Sequence, residues 1–136
     1  MNQAYLASAA VVVLLLLVFG SSFLLHRKPK HLNQAYYTER WQELQKLCKD
    51  KSTWPLAVID ADKLLDDALK KSRYHGKTMG ERLVSAQRQI SDNDGVWYGH
   101  KLRNRLVHES NVKLVERDVK DALLGIRSAL KDLGAL

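Results

Sequence analysis

The apolar residues divide the chain into an uncharged N-terminal run and a charged remainder with helical periodicity. Residues 4–25 carry no charged side chain, and their number is about the 20 that a helix needs to cross a bilayer. From residue 36 onward apolar residues recur every three or four positions, and no segment shows the alternation with period two that is typical of strands. The pattern predicts an all-α protein: an N-terminal transmembrane helix followed by a five-helix, up-and-down bundle.

Five amphipathic helices are expected in this remainder, at residues 38–49, 54–72, 79–90, 96–109 and 115–133. The apolar stripe of the fifth begins at Val115, and the second has one broad apolar face formed by Ala57, Val58, Ala61, Leu64, Leu65, Ala68 and Leu69. Short polar segments separate them, as in up-and-down bundles. Ser52 or Thr53 is expected to cap the second helix, and Asp94 the fourth. Thr78 and Glu81 have the spacing of a capping box before the third helix, and Gly134 is expected to end the fifth.

The charges beside the apolar run predict its orientation in a membrane. Residues 26–35 form a basic juxtamembrane linker, whereas nothing before the run is charged except the terminal amine. The positive-inside rule then places the N-terminus outside the plasma membrane and the domain at 36–136 in the cytoplasm. A cleavable signal peptide fits less well, because no positive segment precedes the run. The linker either rests on anionic lipid or is solvated.

Composition limits the chemistry that the chain can perform. The formal net charge is +7, which favours anionic partners such as RNA, DNA or the inner face of a membrane. Part of this excess also fits the basic flank of an anchor. The one cysteine, Cys48, follows Trp41 and Leu44 at helical spacing and is interpreted as a small core residue. No His/Cys cluster has metal-ligand spacing, so no metal or cofactor is expected.

The fourth predicted helix contains the candidate site. Arg103 lies within the apolar stripe of Val96, Leu102, Leu106 and Val107. A guanidinium among apolar residues is costly unless it is paired, so Arg103 needs either a buried carboxylate, for which Asp62 is the favoured candidate, or a crevice where it meets a ligand. On an adjacent face of this helix lie three further candidates, Trp97, Asn104 and His108.

The segment Arg103-Asn104-Arg105-Leu106-Val107-His108 resembles the R-x4-H signature of HEPN domains, including the polar residue after the arginine. The resemblance covers residues 36–136. It implies a metal-independent endoribonuclease that works as a homodimer, with two motifs meeting in a cleft, and it makes an antitoxin a candidate partner. In that case Arg103 would bind the scissile phosphate and His108 would act as general acid or base. Asn104 would orient His108 or a phosphate oxygen.

Four neighbouring residues are candidates for contact with substrate. Lys101 and Arg105 point away from the predicted core and are expected to meet phosphates without sequence preference. His100 precedes Asn104 by one turn and either joins the site or covers the helix edge. Trp97 either stacks on a base or packs in a bundle or dimer interface.

A non-catalytic interpretation stands beside the nuclease. Arg103 is then a structural residue paired with Asp62, Asn104 bonds to backbone, and His108 caps the helix C-terminus, where a cation is favoured. HEPN domains without nuclease activity serve in binding and assembly, and a membrane anchor departs from the usual soluble toxin. The second hypothesis is therefore a membrane-tethered dimerisation or partner-binding module, and a lipid-surface scaffold is a third. Whether the protein is an enzyme stays open at this point.

Overall fold

The structure, a computed structural model, describes residues 11–17 and 31–136. Residues 31–136 form a helical bundle that contains no strand, so the all-α prediction is confirmed for this part of the chain. A short 3-10 helix, Lys51–Thr53, precedes the second of five α-helices. These are α1 (Gln34–Leu47), α2 (Trp54–Lys71), α3 (Met79–Ala86), α4 (Asn93–His108) and α5 (Glu116–Asp132).

Side-chain caps explain why some helices begin at a different residue from the one predicted. Helix α1 starts four residues early because Asn33 Oδ1 accepts a hydrogen bond from Tyr36 N at 3.2 Å. Helix α4 starts at Asn93 because Asp92, rather than Asp94, is the N-cap and accepts from the amide of Gly95 at 2.9 Å. The predicted capping box of Thr78 and Glu81 is present.

Helix α3 is shorter than predicted, since it ends at Ala86 instead of residue 90. The side-chain amide of Asn93 donates to the carbonyls of Gln87 and Ile90, at 3.0 and 2.9 Å. These bonds satisfy carbonyl groups that a continuing helix would have used. At the other end of the bundle Gly134 terminates α5 with a φ of 75°, as expected.

Helix α2 forms the centre of the bundle and packs against each of the other four helices. Its predicted apolar face is buried at every position: Ala57, Val58, Ala61, Leu64, Leu65, Ala68 and Leu69. Two predicted core positions elsewhere are wrong. Val107 is 49% exposed and Val115 is 58% exposed; the first lies in the last turn of α4 and the second is the N-cap of α5. Cys48 is only half-buried, and its partial burial raises the pKa of its thiol.

Helices α4 and α5 cross closely, and glycines make this possible. A Cβ added to Gly125 would overlap the backbone of Gly95, and one added to Gly99 would lie 3.0 Å from the carbonyl oxygen of Ala122. Backbones can approach this closely only where side chains are absent. The crossing sets where α4 places its polar residues relative to α2.

A partly buried ion pair that the sequence patterns did not predict joins α2 to α3. Arg82 Nε donates to Asp66 Oδ1 at 2.7 Å, and Arg82 Nη1 donates to the carbonyl of Gly76 at 2.7 Å. Lys70 adds a contact to Asp66 Oδ2 at 2.8 Å. Burial opposes ionisation of Asp66, but the hydrogen bonds from these two cations outweigh it and lower the pKa of the carboxyl.

No helix within the described residues is long and apolar enough to cross a membrane. Only residues 11–17 of the predicted span at 4–25 are described, and they are helical with exposed side chains. Residues 4–10 and 18–25 lie outside the described part of the chain, as do residues 26–30 of the predicted linker. The transmembrane helix and its orientation therefore remain predictions.

Candidate functional site

A closed cycle of polar side chains, here called the polar ring, joins α4 to α2. It contains Asp62 from α2 and His100, Arg103 and Asn104 from α4. Asp62 Oδ1 lies 3.0 Å from His100 Nδ1, and His100 Nε2 lies 3.3 Å from Asn104 Nδ2. Asn104 Oδ1 accepts a hydrogen bond from Arg103 Nη1 at 2.9 Å, and Arg103 Nε lies 3.5 Å from Asp62 Oδ2. The structure thus brings together four residues that the sequence singled out separately.

The donors and acceptors of the polar ring admit one assignment of protons. Arginine has only donors, so Asn104 presents its carbonyl oxygen to Arg103 and its NH₂ group to His100. His100 Nε2 must then accept, which leaves its proton on Nδ1, where it is donated to the Asp62 carboxylate. His100 in this arrangement is the neutral imidazole. The negative charge of Asp62 is balanced by Arg103.

Burial within the polar ring is unequal. Asp62 is 2% exposed and His100 is 8% exposed, whereas the Arg103 side chain keeps 28% of its surface exposed. Arg103 Nε is buried without a hydrogen-bond acceptor among the described residues, so its contact with Asp62 is a long ion pair rather than a hydrogen bond. Arg103 is thus the most accessible of these three side chains.

His108 lies outside the polar ring, in the last turn of α4, and its side chain is exposed. It makes no hydrogen bond with any described residue, so the structure does not use it to cap its own helix. On an ideal helix His108 is about 40° around the axis from Asn104 but about 140° from Arg103. One chain therefore does not direct Arg103 and His108 to the same point.

The aromatic surroundings of His100 hold its ring in place. Trp97 is half-buried and meets His100 edge-on, with ring centroids 5.8 Å apart. Gly80 on α3 faces the same pair: a Cβ added there would lie 3.5 Å from the Trp97 ring and 3.9 Å from His100 Nε2. These placements favour a role for His100 within the protein over direct contact with substrate. They also leave only part of the Trp97 indole available to stack on a base.

Lys101 and Arg105 are exposed on α4, as expected for residues that would meet phosphates. Arg105 forms an exposed ion pair with Glu109, in which Arg105 Nε lies 3.5 Å from Glu109 Oε2. Such pairs contribute little and open readily. On an ideal helix Lys101, Arg105 and His108 share one face, whereas Arg103 lies on the opposite side.

The grooves of the described surface lie elsewhere. One of about 320 Å³ runs between α1 and α5 and is lined partly by Trp41, Trp54 and Leu124. None of the polar-ring residues lines it, so it is not the site suggested by the sequence. Within residues 11–17 and 31–136, no group of three or more His, Cys, Asp or Glu side chains could hold a metal ion.

The hydrogen bond between Asp62 and His100 is the contact that sequence reasoning missed. Its two residues are 38 positions apart, and the pattern on α2 only placed Asp62 beside the apolar face. A usable signal did exist: His100 and Asn104 are one helical turn apart, the spacing at which two side chains meet.

Comparison of the whole chain with protein-family models, with curated proteins and with solved structures finds no match.

Proposed function

We propose that the chain is a membrane-anchored, HEPN-like protein whose five helices form an up-and-down bundle, and that it acts as a metal-independent endoribonuclease in a homodimer. The observation that supports this most is the guanidinium of Arg103. It is held by a carboxylate and by an amide oxygen, yet 28% of the Arg103 side-chain surface stays exposed. It lies on the helix that also carries the exposed His108.

The chemistry requires only groups that this chain and its substrate possess. The ribose 2′-oxygen attacks the adjacent phosphorus and the bond to the 5′-oxygen breaks. His108 either takes the proton of the 2′-hydroxyl, while water protonates the leaving 5′-oxygen, or gives a proton to that oxygen, while water takes the proton of the 2′-hydroxyl. An imidazole side chain can serve in either role near neutral pH. Arg103 stabilises the negative charge that develops on the phosphate oxygens. Lys101 and Arg105 would hold the flanking phosphates.

Dimerisation is part of the proposal because of the angle between the two catalytic side chains. Arg103 and His108 diverge by about 140° on one helix, so each phosphate would lie between Arg103 of one protomer and His108 of the other. A two-fold axis near the C-terminal half of α4 creates two such composite sites. The exposed Val107, which lies beside His108, would be covered in that interface.

A non-catalytic dimerisation or partner-binding module is the second candidate, and one observation favours it. Asp62 neutralises Arg103, and a paired cation attracts phosphate less than a free one does. In this case the polar ring serves to join α2 to α4, and the exposed apolar residues near the end of α4 contact the partner. This alternative requires neither an accessible His108 nor RNA.

The first test measures cleavage of mixed-sequence RNA by the full-length chain, purified in mild detergent and assayed in EDTA. We expect cleavage by the wild type, loss of cleavage in His108→Ala, and normal cleavage in the control His75→Ala, which changes an exposed loop histidine. His108 is exposed and makes no hydrogen bond with described residues, so its replacement leaves the fold intact. No cleavage by a folded, dimeric wild type would favour the binding module.

The composite site can be tested by mixing inactive variants. Arg103→Gln and His108→Ala chains are unfolded, mixed in equal amounts and refolded together. Half of the dimers then contain both variants, and each of these has one intact composite site, so we expect recovery of about one quarter of the wild-type activity. No recovery from mixed dimers of confirmed composition would contradict the composite site.

A further inference from the structure

We infer that Asp62 and His100 are positioning residues: together they set the orientation of the Asn104 amide, and through it the guanidinium of Arg103. The inference deepens the proposed function and rests on it for its effect on catalysis. Its structural part stands on the polar ring alone. His100 accordingly acts through Asn104 and does not itself touch substrate.

The first step is the contact between Asp62 and His100. The carboxylate is 2% exposed and lies 3.0 Å from Nδ1, and a buried carboxylate is costly unless it is hydrogen-bonded. It therefore requires the donor, which keeps the proton on Nδ1 and leaves Nε2 as an acceptor. The Trp97 ring packs against His100 with ring centroids 5.8 Å apart, and α3 lies close to both at Gly80.

The second step is the side chain of Asn104. The carbonyl oxygen and the NH₂ group of its amide have nearly the same shape, but the first accepts hydrogen bonds and the second donates them. The hydrogen-bonding neighbours therefore determine the orientation of the amide. An acceptor at His100 Nε2, 3.3 Å away, attracts the NH₂ group. The carbonyl oxygen is consequently turned toward Arg103 Nη1, at 2.9 Å. A rotated amide would place NH₂ against the guanidinium, donor against donor.

The third step concerns Arg103. With Nη1 held by Asn104 and Nε beside Asp62, the plane of the guanidinium is defined by two contacts on one side. Nη2 makes no hydrogen bond with any described residue, and 28% of the Arg103 side-chain surface is exposed. Within the polar ring the charges of Asp62 on α2 and Arg103 on α4 balance each other. A phosphate oxygen at Nη2 would thus meet an arginine that is already oriented, and such preorganisation is worth large rate factors.

Two substitutions of the same residue separate positioning from a structural role. Glutamine at position 100 carries an oxygen about as far from Cα as Nε2, so His100→Gln keeps the acceptor for Asn104 and weakens the contact with Asp62. Asparagine reaches about as far as Nδ1, so His100→Asn keeps the donor to Asp62 and loses the acceptor. A positioning role predicts that His100→Gln retains RNA cleavage within about 3-fold and that His100→Asn loses about 30-fold or more in kcat.

Faster RNA cleavage by His100→Asn than by His100→Gln would overturn the inference. If His100 only satisfies the buried Asp62, then His100→Asn is the better replacement in both stability and cleavage. Thermal unfolding of both variants in full-length form is measured alongside cleavage, so that a loss of activity is not mistaken for unfolding. His75→Gln and His75→Asn, in an exposed loop, are the matched controls and should change neither quantity.

Nitrogen NMR of the full-length chain in detergent tests the same inference without RNA. The wild type should show His100 as the neutral tautomer protonated on Nδ1, and separate, slowly exchanging Nη signals for Arg103. Those Arg103 signals should persist in His100→Gln and average together in His100→Asn. Protonation on Nε2, or Arg103 signals that are indifferent to both variants, would refute the inference. Absence of cleavage by the wild type, with the NMR result as expected, would refute only the proposed function.

Discussion

Removal of the Asp62 carboxylate provides the most direct test of the polar ring. Asp62 is 2% exposed and accepts from His100 Nδ1 at 3.0 Å while it faces Arg103 Nε at 3.5 Å. In Asp62→Ala the buried N–H of His100 loses its acceptor, which costs about 1–3 kcal/mol. The charge of Arg103 also loses its partner. We therefore expect the fold to lose stability through two separate terms.

The cost of leaving the charge of Arg103 without its partner is smaller than it would be for a fully enclosed ion pair. Breaking a buried ion pair typically costs about 3–5 kcal/mol because an uncompensated charge remains. The Arg103 side chain keeps 28% of its surface exposed, so it can turn its guanidinium partly toward water. Taking both terms together, we expect the free energy of unfolding to fall by about 3 kcal/mol, a large part of the total of about 5–15 kcal/mol for a domain.

Urea unfolding followed by far-ultraviolet circular dichroism measures this loss as a shift of the midpoint at constant slope. The matched control is Asp60→Ala on the same helix, whose carboxylate forms no ion pair with a described residue and which should cost about 0.5 kcal/mol. The Asp62→Ala change is then repeated in an Arg103→Met background. There no arginine charge is left unpaired, and the loss should be smaller by about 1–2 kcal/mol.

Two results would refute this reasoning. If Asp62→Ala and Asp60→Ala lose the same stability, the carboxylate at 62 is satisfied by water and the polar ring does not contribute. If the losses from Asp62→Ala and Arg103→Met are simply additive, the two side chains are not coupled, and the 3.5 Å contact between them has no energetic consequence.

Two further predictions concern the rest of the bundle. Gly125→Ala should lower the free energy of unfolding by about 2 kcal/mol or more, because the new methyl group would overlap the backbone of Gly95; the control Gly80→Ala, where the nearest atoms are 3.5 and 3.9 Å away, should be neutral or slightly stabilising in the same urea titration. Burial raises the pKa of Asp66, but hydrogen bonds from Arg82 and Lys70 outweigh it and lower the pKa. The ion pair with Arg82 is therefore stabilising above the unfolded-state pKa of about 3.9. That contribution is lost as the pH falls through the lower, folded-state pKa. Wild-type stability should therefore fall more steeply than that of Asp66→Asn below about pH 4, and parallel curves would show that the pair contributes nothing.

The helical class and most of the core followed from local patterns. The period of three to four residues marked the buried face of α2 at all seven predicted positions, because a helix repeats its faces independently of what packs against them. The capping box at Thr78 and the end of α5 at Gly134 likewise depend on residues within one turn. The wrong positions, Val107 and Val115, lie at helix ends, and the period of an apolar stripe does not itself show where its burial stops.

The contacts within the polar ring depend on tertiary structure. The sequence placed Arg103, Asn104 and His108 on one helix and suggested Asp62 as a partner from the cost of an unpaired guanidinium. It did not indicate that His100 lies between Asp62 and Asn104, because that depends on how α4 crosses α2 and α5. Gly99 and Gly125 set this crossing by allowing close backbone approach. Spacing along one helix is a local property, whereas contact between residues 38 positions apart requires the packed bundle.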